Sequence, residues 1–333
     1  MRTCRSLVCL LLLGACDSTD DQRWIVWTQD GVRYHSREGD PFACPQAIDH
    51  IVEHRTAFAE FFGVRSAGTS DLDYYKYRDR DDYRESAGCP SGSDGCFSGP
   101  VHSPFAVHYH ELIHAWTYPA MGGYTPILSE GLATALSCEP LSHNVPIEAN
   151  LSLDVTEPNG PGYEHAGYLM VQALRDAAPS SLMDLVRGAD ASTRDESAVR
   201  DGLSRVYGKS AEELISEVAS DRSPPCFALG RCDSAPLLTF GPTRLVYGCA
   251  GTSEFLLTSE LGPAVGLWVS GYPVDMLACS PSAAPFALRP TGVGRNPEQP
   301  SAEYFSETPS EPHLLSIAVS DPEAEALLHL RPA

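Results

Sequence analysis

Positive charge is the first thing this sequence is short of. Lys plus Arg number 23 against 44 Asp plus Glu in 333 residues, a formal charge of −21. Polyanions are bound by clustered cations that release their counterions, so nucleic acid and anionic lipid headgroups are poor partners. Long apolar runs are missing as well: no stretch reaches the roughly 18 consecutive apolar residues of a membrane-spanning helix. The cysteines form no C-x-x-C pair, which argues against a cysteine-based zinc site. No internal repeat is visible. The 27 glycines and 27 prolines fall short of the roughly 25–30 % that signals low-complexity disorder. What remains is a folded globular chain, 43% apolar and 20% charged. At about 100 to 200 residues per domain, its length predicts two domains.

The N-terminus has the order of an export signal. Arg2 and Arg5 precede the apolar run Leu7 to Leu13, and the small residues Gly14 and Ala15 follow. The next position completes Leu13-Gly14-Ala15-Cys16, which resembles the bacterial lipobox. That resemblance implies a signal peptide over residues 1–15, acylation of Cys16, and a protein exported and lipid-anchored in the bacterial cell envelope. Plain secretion is the blander reading. Residues 16–22 are short and polar and read as a tether. With the signal removed and Cys16 lipidated, eight cysteines remain: Cys44, Cys89, Cys96, Cys138, Cys226, Cys232, Cys249 and Cys279. An even number in an exported chain reads as disulfides. Spacing favours short local loops closed by Cys89 with Cys96 and by Cys226 with Cys232.

Beyond the tether, Ile25 to Gln29 and Val32 to His35 flank Asp30-Gly31, a turn pair that predicts a β-hairpin. Ala47, Ile48, Ile51, Val52, Phe58, Phe61 and Phe62 recur at helical spacing, and Gly63 ends that helix. A strand is expected around Tyr74 to Tyr77, within the charged stretch Asp71 to Tyr83.

The segment with chemical content is His108-Tyr109-His110-Glu111-Leu112-Ile113-His114-Ala115-Trp116. On a helix, two histidines four residues apart project on one face and can both reach one Zn²⁺, with Glu111 beside the open coordination position. Random placement of histidine and glutamate in a chain of this composition would give about 0.02 such matches. Leu112, Ile113, Ala115 and Trp116 can bury the helix around a dry site. The bland alternative is a buried helix with satisfied histidines. His108, two residues before His110, points to another side and reads as a residue that starts the helix or supports a ligand from behind. His102 is uninformative.

A hydrolytic zinc site wants three protein ligands and an open fourth position. Sixteen residues after His114, Leu128-Ser129-Glu130-Gly131-Leu132-Ala133-Thr134 opens a second helix-like run behind Pro126. Here the chain resembles the gluzincin branch of zinc metallopeptidases, in which a Glu in an E-G-x-A segment on the next helix is the third ligand. The resemblance implies His110, His114 and Glu130 as zinc ligands and Glu111 as general base. Small Gly131 and Ala133 let the second helix approach the first, and Thr134 stands where many relatives carry an acid. The branch often places a Tyr or His on a later helix to stabilise the oxyanion, which makes Tyr163 and His165 candidates. The resemblance covers about residues 45–220, continuing loosely through Leu182 to Val186 and Val206 to Ser210.

After Ser223-Pro224-Pro225, alternation as in Glu254 to Thr258, Val265 to Val269, His313 to Val319 and Ala326 to Leu330 replaces helical spacing. The expected fold is therefore α+β. A zincin-like metallopeptidase domain with a helical C-terminal subdomain occupies residues 23–222, and a small all-β sandwich occupies 223–333. The expected function is a membrane-anchored zinc endopeptidase or aminopeptidase-like hydrolase acting on peptide or protein substrates. The competing class is a non-catalytic surface-binding lipoprotein on a peptidase-like scaffold.

Overall fold

The computed structural model describes residues 23–40, 44–64, 71–121, 126–138, 162–188, 196–220, 229–232, 235–239, 241–245, 252–261, 264–270, 274–280, 289–293, 301–307, 311–318 and 326–332. The expected signal segment, Cys16 and the expected tether lie outside the described residues. No helix among the described residues is long and apolar enough to cross a membrane.

Strands β1 (Trp24–Gln29) and β2 (Val32–Arg37) form the expected hairpin. Its turn needs two residues at positive φ, supplied by Asp30 at 47° and Gly31 at 78°. Helix α1 (Ala47–Phe62) then buries Ile48, Ile51, Phe58 and Phe62 at helical spacing and ends at Gly63, whose left-handed backbone lets its N–H reach Glu60 O. The helix supplies the crossover that parallel pairing requires, and β3 (Leu72–Lys76) lies parallel to β2.

β3 is the strand expected around Tyr74 to Tyr77. After it Asp79 caps a short helix, α2 (Arg80–Ser86), its carboxylate accepting from the N–H groups of Asp81 and Asp82 at 2.9 Å. Acidic residues in the first turn of a helix suit its dipole. The loop that follows closes on the Cys89–Cys96 disulfide and delivers two short strands, β4 (Cys96–Phe97) at the edge of the sheet and β5 (Val101–Ser103) beside it. The sheet order is β1-β2-β3-β5-β4, parallel at its centre and antiparallel at both edges. Val32, Tyr34, Leu72, Tyr74 and Val101 alternate onto its core face and are buried.

Against that core pack α3 (Tyr109–Met121) and α4 (Pro126–Ser137), with Leu112, Ile113, Ala115, Trp116, Leu128, Leu132 and Leu136 all buried. A helical group follows: α5 (Gly162–Asp176), α6 (Pro179–Gly188), α7 (Glu196–Tyr207) and α8 (Ala211–Ser220). Ser210 and Glu213 start α8 with reciprocal bonds, Glu213 N–H to Ser210 Oγ and Ser210 N–H to Glu213 Oε2.

Residues beyond 229 are strand-rich. Their strands are β6 (Gly241–Leu245), β7 (Thr252–Leu257), β8 (Ala264–Ser270), β9 (Val274–Ala278), β10 (Arg289–Val293), β11 (Ser301–Glu307), β12 (His313–Ala318) and β13 (Ala326–Pro332). They form two antiparallel sheets, one in the order β10-β11-β8-β13-β6 and the other in the order β7-β12-β9. Neighbouring residues of a strand point to opposite faces, yet Leu314, Leu315, Ser316 and Ile317 are all buried. The three-stranded sheet is therefore covered on both sides, and on one of them Leu314 and Leu277 pack with Cys138 at the end of α4. Cys232 is joined to Cys279, which corrects the expected Cys226–Cys232 loop. Proximity in sequence favours the short loop, but the pairing instead ties the start of this region to the end of β9.

Candidate metal centre

The order of the sheet explains where α3 starts. The chain leaves β5 at Ser103, and the Ser103 hydroxyl accepts the Phe105 N–H at 3.0 Å and lies 3.1 Å from His108 Nδ1. The His108 carbonyl accepts the Leu112 N–H, so His108 stands just outside the first turn of α3. Its ring centroid is 6.3 Å from that of His110.

One turn further along, His110 and His114 face the same side, with ring centroids 4.9 Å apart. Glu130, in the second turn of α4, meets both: His110 Nε2 is 3.0 Å from Glu130 Oε2, and His114 Nε2 is 3.5 Å from Glu130 Oε1. These are the one group of three or more His, Cys, Asp or Glu among the described residues that could hold a metal ion, with ligand atoms within 4.8 Å of one another. Two imidazole nitrogens and one carboxylate are the ligand set of a class of catalytic zinc sites, and zinc bonds near 2.0–2.1 Å in a tetrahedron put ligands about 3.3 Å apart. The residues fit that ion. Burial pushes the Glu130 carboxyl up, but hydrogen bonds from His110 and His114 and their charge pull harder, so it lies well below the usual carboxylate range.

A ligating histidine needs its other nitrogen engaged, which fixes ring and tautomer. For His114 that partner is Ser129, whose Oγ lies 3.0 Å from Nδ1. The same residue pair, Ser129-Glu130, thus supplies one ligand and orients another. Thr134 does not take this role: it packs towards α5, where a Cβ on Gly167 would come within 3.0 Å of its Cγ2. Gly131 serves that same α4–α5 seam, its carbonyl 3.6 Å from the same point.

Glu111 follows His110 directly and is buried. The disulfide-closed loop presses on it: a Cβ at Gly95 would stand 3.0 Å from Glu111 Cγ and 2.3 Å from His108 Nδ1. Only a residue without a side chain lets β4 approach this closely. Tyr163 and His165 lie in the first turn of α5, which packs along the helix that carries Glu130, but their side chains lie outside the described residues. His102 faces away from the core, its Nδ1 2.9 Å from Tyr77 Oη.

Sequence reasoning does not single out Ser129 or Gly95 as site residues. A serine beside the ligand glutamate is in plain view, whereas nothing local marks Gly95, which acts across a fold. No protein-family model matches the chain, and no curated protein is significantly similar to it. The functional reading therefore rests on these residues and their geometry.

Proposed function

We propose that this protein is a zinc-dependent peptidase of zincin type, exported and anchored through a lipid on Cys16. The observation that carries the reading is the convergence of His110 Nε2, His114 Nε2 and the Glu130 carboxylate within 4.8 Å, one residue from the buried carboxylate of Glu111. These three side chains would hold the metal as its protein ligands. A zinc ion there would supply a Lewis acid for the scissile carbonyl and a water acidic enough to react near neutral pH. Glu111 would take a proton from such a water as its oxygen adds to the carbonyl carbon, and would pass that proton to the amine nitrogen as the C–N bond breaks. Ser129 holds the His114 ring in the tautomer that leaves Nε2 free to ligate. The mixed sheet beside α3 and the helices after α4 agree with the same reading, and the Cys89–Cys96 and Cys232–Cys279 disulfides agree with an oxidising compartment.

Mature protein purified from the cell envelope should contain about one zinc per chain, cleave members of a mixed peptide library, lose activity to a chelator and regain it with zinc. A zinc-loaded protein that cleaves nothing in the library would belong instead among binding lipoproteins. For the anchor, Cys16→Ser should move the protein to the soluble fraction or leave its signal uncleaved; unchanged mass and detergent partitioning would show that Cys16 carries no lipid.

A further inference from the structure

The side of α3 away from the metal carries Tyr109, Ile113 and Trp116, spaced four and three residues apart so that they share a face. Two polar groups from distant parts of the chain close on it. From α1, His54 accepts the Trp116 Nε1–H at Nδ1, 3.1 Å away, and its ring centroid lies 5.1 Å from that of Tyr109. From the joint with the C-terminal sheets, Arg231 sets its guanidinium carbon 4.8 Å from the Tyr109 ring centroid.

Arg231 reaches three more elements. Nη1 donates to the carbonyl of Ser137, the last residue of α4, at 3.4 Å, where a cation meets the negative end of the helix dipole. Nε donates to Glu254 on β7 at 3.1 Å, Nη2 is paired with the same carboxylate, and Nη2 lies 3.4 Å from Ser316 Oγ on β12. The side chains of Arg231 and Glu254 are 9% and 14% exposed. A buried ion pair adds little net stability against apolar residues of the same size. What the rigid guanidinium fork adds is fixed geometry.

The joint itself is tightly built. Leu229 belongs to the same core as α3 and α4. Gly230 has φ +71°, and a Cβ there would stand 2.5 Å from Ala57 Cβ on α1, so only glycine fits. Cys232 is then tied to Cys279.

We propose that Arg231 is a positioning residue for the metal centre: it holds the start of α3 and the end of α4 against the C-terminal sheets, which makes those sheets part of the metal-binding unit. Tyr109 is the neighbour of His110, and Ser137 ends the helix that carries Glu130, so one guanidinium fixes both halves of the ligand set. Ligand sets tolerate displacements of only about 0.5 Å. The proposal rests on the reading of His110, His114 and Glu130 as metal ligands.

The test measures zinc affinity by chelator competition on the full mature chain, with circular dichroism on the same samples to establish that each variant is folded. Arg231→Met, which keeps the apolar stem and removes the charge, should weaken zinc binding about tenfold, the lower end for residues that orient ligands from outside. Arg231→Lys, which keeps a cation over Tyr109 and loses the fork that also reaches Ser137 and Glu254, should recover only part of that loss. A merely structural role would lower the thermal midpoint and leave the affinity of the folded protein unchanged. Zinc affinity of Arg231→Met within twofold of wild type overturns the proposal while the metal reading stands. Wild type that binds no zinc overturns the metal reading and this proposal with it. If Arg231→Met does not fold, Tyr109→Leu, which removes the ring under the guanidinium, is measured against the same two outcomes.

Discussion

The two sides of α3 are built on opposite plans. The front presents His110 and His114, each side chain 12% exposed, to a carboxylate from one neighbouring helix. The back buries Ile113 and Trp116 completely and is fastened by His54 and Arg231, from α1 and from the joint with the C-terminal sheets. A metal site needs both: ligands that stay reachable, and a support that allows them one geometry. The front is a short local pattern, while the back is assembled from residues far apart in sequence.

The sharpest break in this comparison is His114→Ala. It removes a ligand from the front and leaves the back untouched, so zinc should be lost while helical content and thermal midpoint stay near those of metal-free wild type, as metal analysis and circular dichroism would show. His108→Ala should retain most of the zinc, because His108 stands outside the ligand group.

Next in size is the back under acid. Burial, with a smaller push from the charge of Arg231, holds His54 down to about 3 from 6.5. An unfolded chain therefore binds a proton below pH 6.5 that the folded chain refuses, and each pH unit between the two values is worth about 1.4 kcal/mol. The stability this neutral histidine contributes is fully present above pH 6.5 and falls away as pH drops toward 3. His54→Asn keeps an acceptor for Trp116 and cannot titrate. Its urea midpoint should fall less than that of wild type between pH 7 and pH 5; equal falls would show that His54 is not the buried titrating group.

Ser129→Ala comes third. It leaves the ligands in place and removes the partner of His114 Nδ1, for an expected loss of about tenfold in zinc affinity by chelator competition. The smallest effect on the metal is expected from Trp116→Phe, which breaks the bond to His54 and leaves Nδ1 buried without its donor. The expected cost is about 1–3 kcal/mol in denaturant unfolding, with zinc stoichiometry unchanged.

What is legible in the sequence divides along the same line. The histidine pair and Glu111 are read from helical spacing, and Glu130 from the resemblance carried by its E-G-x-A segment; the Asp30-Gly31 turn, the Gly63 stop and four of the eight strands described in the C-terminal region are legible too. The helix capped by Asp79 escapes such a reading because its charged, tyrosine-rich stretch lacks an apolar period. The Cys232–Cys279 bond escapes it because chain proximity says nothing about which cysteines the fold brings together. Gly95, His54 and Arg231 act on α3 from other elements of the fold. Such contacts follow from the order of the sheet and the packing of the joint, and no local pattern encodes them.

The central claim is that the front of α3 holds a metal for hydrolysis, with Glu111 serving as base and not as ligand. The direct measurement compares wild type with Glu111→Gln for zinc content and peptide-library turnover on the same samples. The account predicts equal zinc, about one per chain, and turnover lower by about 10² to 10⁴ in the variant. Equal turnover in the two proteins, or loss of zinc from Glu111→Gln, would contradict it.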